Sequence, residues 1–132
     1  FFEKDAINWG QAANNGKGAC TTGDMLKSVI AFRKGNPALS NGKWGARMVK
    51  VENTAPKQVF SWTRGTGDQQ IVAVFNMSDK PATANLTSAN GYGNFKAVHG
   101  GPDHGWKVGD QENVTAATVF TLAPWEYRVY DK

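Results

Sequence analysis

Phe32-Arg33-Lys34-Gly35-Asn36-Pro37-Ala38-Leu39 closes one kind of structure and opens another. Before it, Met25, Leu26, Val29 and Ile30 recur at the i, i+1, i+4, i+5 spacing of one helical face, with Arg33 at i+8. Thr21-x-x-Asp24 is a capping-box-like start, with Asp in place of Glu or Gln. Gly35 is placed to take a left-handed C′ conformation, and Pro37 forbids continuation. The spacing predicts a helix over 22–34. Gly23 dissents, but in the first turn, where its cost is small. Residues 1–20 carry no period: Phe1, Phe2, Ile7 and Trp9 are apolar, while Asn14-Asn15, Gly16 and Gly18 interrupt. So apolar a start is expected to lie against something.

After Gly42 the hydrophobic period changes from 3.6 to 2. Strands are expected at Lys43 to Asn53, Val59 to Arg64, Gln70 to Met77, Ala82 to Thr87, Asn94 to Val98, Thr115 to Leu122 and Tyr127 to Tyr130. Gly65-Thr66-Gly67-Asp68 reads as a hairpin connection, His99 to Gly105 as a Gly/Pro loop, and Pro124 as a break. Short strands with frequent turns predict a mostly β fold: an antiparallel Greek-key β-sandwich of roughly seven or eight strands, preceded by one α-helix.

At 132 residues the chain is one domain by length. Its 15 glycines and 5 prolines imply many turns. The net charge of +4 comes from basic residues scattered among apolar ones, such as Lys50, Lys96 and Lys107. Nucleic-acid footprints are clustered, so the charge reads as a solvated surface. No apolar run reaches the ~20 residues of a membrane span. Cys20 is the only cysteine and can form neither an internal disulfide nor a metal-ligand set.

Four segments, in order, resemble the C-terminal end of alpha-amylase-family glycoside hydrolases. Phe2-x-x-Asp5-x-Ile7-x-Trp9 is similar to the segment after the eighth barrel strand, and Phe32 to Leu39 to the last barrel helix and the exit from it. Val59-Phe60-Ser61-Trp62-Thr63-Arg64 and Val72-Ala73-Val74-Phe75-Asn76-Met77-Ser78-Asp79 resemble the central hairpin of the C-terminal domain. Leu122-x-Pro124-Trp125-x-Tyr127-x-Val129 resembles its closing strand. Gly10 to Thr21 and His99 to Gly105 match no family pattern. The resemblance implies that residues 1–39 end a (β/α)8 catalytic barrel and 40–132 form an all-β domain. It also implies that the catalytic carboxyl groups lie upstream.

That chemistry needs a nucleophile and a general acid flanking a glycosidic bond. No acidic residue here matches those motifs, so no catalytic residue is assigned; Asp5 reads as a turn-capping residue. His99, Asp103 and His104 are the nearest approach to a metal cluster, but no second-shell partner is evident and no metal or cofactor is assigned. Sugar-binding surfaces use exposed aromatic faces, and Trp106 and Tyr92, each beside glycine, are the candidates. Core packing competes even for Trp106, and Trp62 and Trp125, in strand context, are expected in the core. The sequons at Asn76, Asn85 and Asn113 are of the number that chance supplies in an Asn-rich chain.

The leading reading is a non-catalytic domain that stabilises the barrel of the same parent chain, the parent acting on alpha-glucans such as starch. The alternative is a carbohydrate-binding module that holds glucan by stacking; two or more exposed coplanar aromatic faces would favour it. A free-standing enzyme would need a cleft of acid and base groups that the sequence does not display. An adhesion or interaction sandwich leaves the helix and its Asn-Pro-Ala-Leu exit unexplained. An apolar stripe without its barrel implies either packing of this segment back onto the sandwich or self-association of the chain through it. A secreted or periplasmic parent is the expectation for compartment.

Overall fold

The computed structural model describes residues 22–42, 45–100 and 107–132. The chain divides into two compact units, Phe1–Gly35 and Asn36–Lys132.

In the first unit, helix α1 spans Thr22–Gly35, with Asp24 in its first turn and Arg33 and Lys34 in its last, where each complements the helix dipole. Met25, Leu26, Val29 and Ile30 are 42%, 55%, 39% and 50% exposed, so the stripe meets water. The helix does not end as expected. Gly35 is its last residue and is not among the positive-φ glycines. Asn36, at φ −114 and ψ 112, is the first extended residue. A residue before proline is driven from the α region by the proline ring, so Pro37 stops the helix from one position ahead.

The second unit opens with a 3-10 turn, Pro37–Leu39, capped by the Asn36 side chain, which accepts from the Ala38 N–H at 3.0 Å. Among the described residues eight strands follow: β1 (Met48–Lys50), β2 (Val59–Thr66), β3 (Gln69–Asn76), β4 (Ala82–Ala84), β5 (Gly93–Gly100), β6 (Gln111–Val114), β7 (Phe120–Leu122) and β8 (Tyr127–Asp131). A six-stranded antiparallel sheet runs β1-β2-β3-β8-β5-β6, and β4 pairs β7 in a second sheet. Among the described residues the fold is thus mostly antiparallel β preceded by one α-helix, as the two periods predict.

Three details depart from the expectation. Of the strand expected over Lys43 to Asn53, the described residues hold only the short β1, with Asn53 bridging Leu86. His99 lies in β5, not in a loop. Thr115 to Leu122 is split: β6 precedes it, and 115–118 form a turn in which Thr118 Oγ1 accepts from the Thr115 N–H at 2.9 Å.

The β2–β3 hairpin closes through Gly67-Asp68, and Gly67 takes φ 63 at the first loop position, as a type II′ turn requires. The inner face of the large sheet (Val59, Val72, Val74, Phe95, Ala97, Val114, Tyr130) meets Ala82, Ala84, Phe120 and Leu122 of the second sheet, with Val51 and Leu86 between. Phe120 meets Tyr130 edge-on at 6.0 Å. Burial raises the Tyr130 phenol's pKa, and Glu112 adds to the rise.

Candidate functional site

Two features of the second unit stand apart from ordinary core and surface. One is the outer face of the large sheet. The register places Phe60, Trp62 and Arg64 of β2 opposite Phe75, Ala73 and Ile71 of β3, and these opposite Tyr127, Val129 and Asp131 of β8. A register shift between Ala97 and His99 then sets His99 opposite Val129. Such a bulge re-aims a side chain, and here it turns His99 to the outer face. The result is a row of stacked rings across four strands: Trp62 to Phe75 at 6.5 Å, Phe75 to Tyr127 at 5.7 Å and Tyr127 to His99 at 5.7 Å. His99 Nδ1 and the Tyr127 hydroxyl are hydrogen-bonded at 2.8 Å. Burial lowers the His99 pKa below its ordinary value. Trp62 is therefore half-buried on the outer face, not in the core. Its neighbours Phe60 and Met48 are 37% and 56% exposed.

At one end this face is already covered. Asn36 Nδ2 donates to Asp131 Oδ2 at 3.0 Å, and Arg64 donates to the carbonyls of Ala46 at 2.8 Å and Ser40 at 2.6 Å. Ile71, between Arg64 and Asp131 in the register, is fully buried. Asn36, Ser40 and Ala46 are thus tied to the outer face.

The second feature is the β7–β8 turn, Ala123-Pro124-Trp125-Glu126, closed by Glu126 N–H donating to Ala123 C=O at 3.1 Å. Trp125 takes φ 60, the one positive φ outside glycine among the described residues, and is 64% exposed. The expectation of a core position for it fails. Alternation places side chains in strands, but this residue occupies the left-handed position of a turn. Below it, Glu126 is 1% exposed and Arg128 is 9% exposed. Glu126 Oε1 accepts from Arg128 Nε at 3.0 Å, and Oε2 from the Ala123 N–H at 2.7 Å; Arg128 also donates to Thr121 C=O at 2.6 Å. Beside the turn opens a cleft of about 430 Å³ lined by Pro81, Val119, Thr121, Leu122, Pro124 and Arg128, among others. Glu126, with both oxygens engaged, is a structural carboxylate and no general acid.

Of the candidate sugar contacts, Tyr92 is partly buried against the core, and its hydroxyl donates to Leu86 C=O at 2.9 Å. Trp106 lies outside the described residues, as do Asp5, Cys20, Asp103 and His104. Among the described residues no group of three metal-ligating side chains occurs, and no helix is long and apolar enough to cross a membrane. Asn76 is 2% exposed and its amide donates to the carbonyls of Lys80 and Ala123, which removes it as a glycan acceptor. The aromatic row was hidden from the sequence because Trp62, Phe75, Tyr127 and His99 meet only through the register and the bulge.

No family model matches the chain, and no curated protein matches it by sequence. Solved structures do. A trehalulose synthase variant in complex with Tris is 16% identical with a TM-score of 0.64, over 86% of this chain and 18% of that one. An isomaltulose synthase variant from Erwinia rhapontici NX5, in complex with its natural substrate sucrose, is 18% identical with a TM-score of 0.65, over 89% of this chain and 18% of that one. The isomaltulose synthase itself gives 18% identity and a TM-score of 0.62, over 83% of this chain and 17% of that one. These neighbours belong to the alpha-amylase family that the sequence resembles. The chain spans less than a fifth of their length, and the likeness is one of fold.

Proposed function

We propose that this chain is the non-catalytic C-terminal β-domain, with the end of the barrel, of an alpha-amylase-like glycoside hydrolase, and that it stabilises the catalytic barrel by covering apolar surface. The observation that carries this reading is the outer face of the six-stranded sheet. Soluble sheets with one core-packed face commonly present a polar second face. Here that face carries Trp62, Phe75, Tyr127 and Val129 at intermediate exposure, with Phe60 and Met48 more exposed. Stacked rings spend their faces on one another, which suits packing against a second apolar layer better than binding a sugar. Asn36, Ser40 and Ala46 are hydrogen-bonded at the same face, so part of it already takes its cover from polypeptide outside the sheet. The parent would act on an alpha-glucosidic sugar, from starch-like glucan to a disaccharide such as sucrose.

The test uses the longer enzyme. Phe75→Asp should lower its thermal midpoint by the equivalent of about 3–5 kcal/mol, the range for deleting a buried aromatic, and leave kcat of the folded fraction unchanged. The same substitution in the present chain should cost much less. Equal losses in both would place the role of Phe75 within the domain and defeat the proposal.

A further inference from the structure

We propose that the β7–β8 turn is a second, independent feature: a carbohydrate contact in which the Trp125 indole stacks on a pyranose ring beside the cleft rimmed by Thr121 and Pro124. The choice of a sugar as ligand rests on the reading of the parent as an alpha-glucosidic enzyme; the existence of a site rests on three observations.

First, Trp125 is held where tryptophan does not belong. It sits third in a turn with Pro124 second, the position that needs φ above zero and takes glycine or asparagine. A bulky residue there is an outlier, and such strain persists where surrounding bonds over-determine it. They do so here: Trp125 N–H donates to Ser78 C=O at 3.1 Å, Asn76 N–H to Glu126 C=O at 2.8 Å, and Asn76 Nδ2 to Ala123 C=O at 2.8 Å. Second, the indole gains nothing visible from the strain, since Trp125 is 64% exposed. A strained residue that packs on little is retained for something outside the fold. Third, Pro124 and Glu126, on either side of Trp125, line a cleft of about 430 Å³, a volume of small-ligand size; Trp125 itself is not one of its lining residues and stands beside it. Its lining mixes apolar Pro81, Val119 and Leu122 with the exposed Thr121 and the Arg128 guanidinium. That mixture suits a ring with a C–H face and a hydroxyl rim.

The experiment titrates this chain with maltoheptaose and, separately, with sucrose, following the indole and backbone signals by NMR. Maltoheptaose should shift the Trp125 indole and Thr121 signals in a saturable way. Trp125→Asn, which suits the left-handed backbone, should weaken binding at least tenfold, equivalent to about 1.4 kcal/mol. The same substitution should raise the thermal midpoint by a few degrees, and Trp125→Phe should retain part of the affinity. Gain of stability with loss of binding is the signature of a residue kept for a ligand. No saturable shift with either sugar, unchanged binding by Trp125→Asn, or a lowered midpoint would each overturn the proposal. So would indole signals that follow protein concentration and not sugar. Substitutions in the Trp62-Phe75-Tyr127 row should leave the sugar response intact. Failure here with barrel coupling preserved there, or the reverse, separates this inference from the proposed function.

Discussion

Glu126 and Arg128 illustrate how much one pair can carry. Glu126 is almost fully buried and Arg128 nearly so, and their ion pair also fixes the β7–β8 turn through Ala123 and Thr121. Removing one partner of a buried pair leaves an uncompensated charge, so Glu126→Ala should cost about 3–5 kcal/mol in urea unfolding. His99 makes a pH-dependent contribution. Its folded pKa lies below the unfolded value of 6.5 because burial disfavours the charged ring. Between the two values the unfolded chain binds more protons. The contribution of His99 is therefore complete above 6.5 and declines as pH falls through 6.5 toward the folded pKa. His99→Gln should flatten the unfolding free energy over that window, while an unchanged slope would remove His99 from the account. Neither residue announced itself in the sequence. Glu126 sits inside a strand motif with no sign of burial, and Gly100, Gly101 and Pro102 after His99 read as a loop. Trp125 misled for the opposite reason: aromatic type suggested core, and type is blind to a turn's dihedral angle.

Among the elements, those with strong period were legible and those on edges were not. The helix and the β2–β3 hairpin were each placed within two residues of their ends. Strand β6 escaped because Gln111, Glu112 and Asn113 are polar and only Val114 is fully buried. An edge strand has one neighbour, so its pattern is set less by the core than by solvent. The helix invites a measurement. Isolated helices of about this length are marginal in water, and its apolar side chains are exposed. Amide hydrogen exchange should be faster in residues 22–34 than in residues 59–76, or its rate in the helix should depend on concentration through self-association. Equal protection at every concentration would count against the view that its stripe belongs against a missing surface.

For the whole molecule, the order of motifs carried more than any motif alone. The four family-like segments anticipated a fold that the structural neighbours share at identities too low for sequence matching to find them. The aromatic face that gives the domain its proposed role was not legible, because it is assembled from four strands by register. The proposed function has a plain biochemical consequence: this chain alone should not hydrolyse starch, pullulan or maltooligosaccharides, because that reading puts the nucleophile and acid of the reaction outside it. Turnover that disappears on mutating one of its own carboxylates would refute it.

Strand β8, last in chain order, sits in the middle of the large sheet between β3 and β5. During synthesis β1 to β3 can pair as they emerge, and β5 can pair β6, but the two halves have no shared strand until Tyr127–Asp131 has been made. Domains generally form as units during synthesis, and this one must wait for Tyr127–Asp131 before its large sheet is continuous. Loss of those few residues would leave two separate three- and two-stranded pieces, each with an unpaired edge open to other chains. A chain stopped before Tyr127 should therefore aggregate and be degraded in the cell, which makes β8 a built-in check that the domain has been translated through its closing strand.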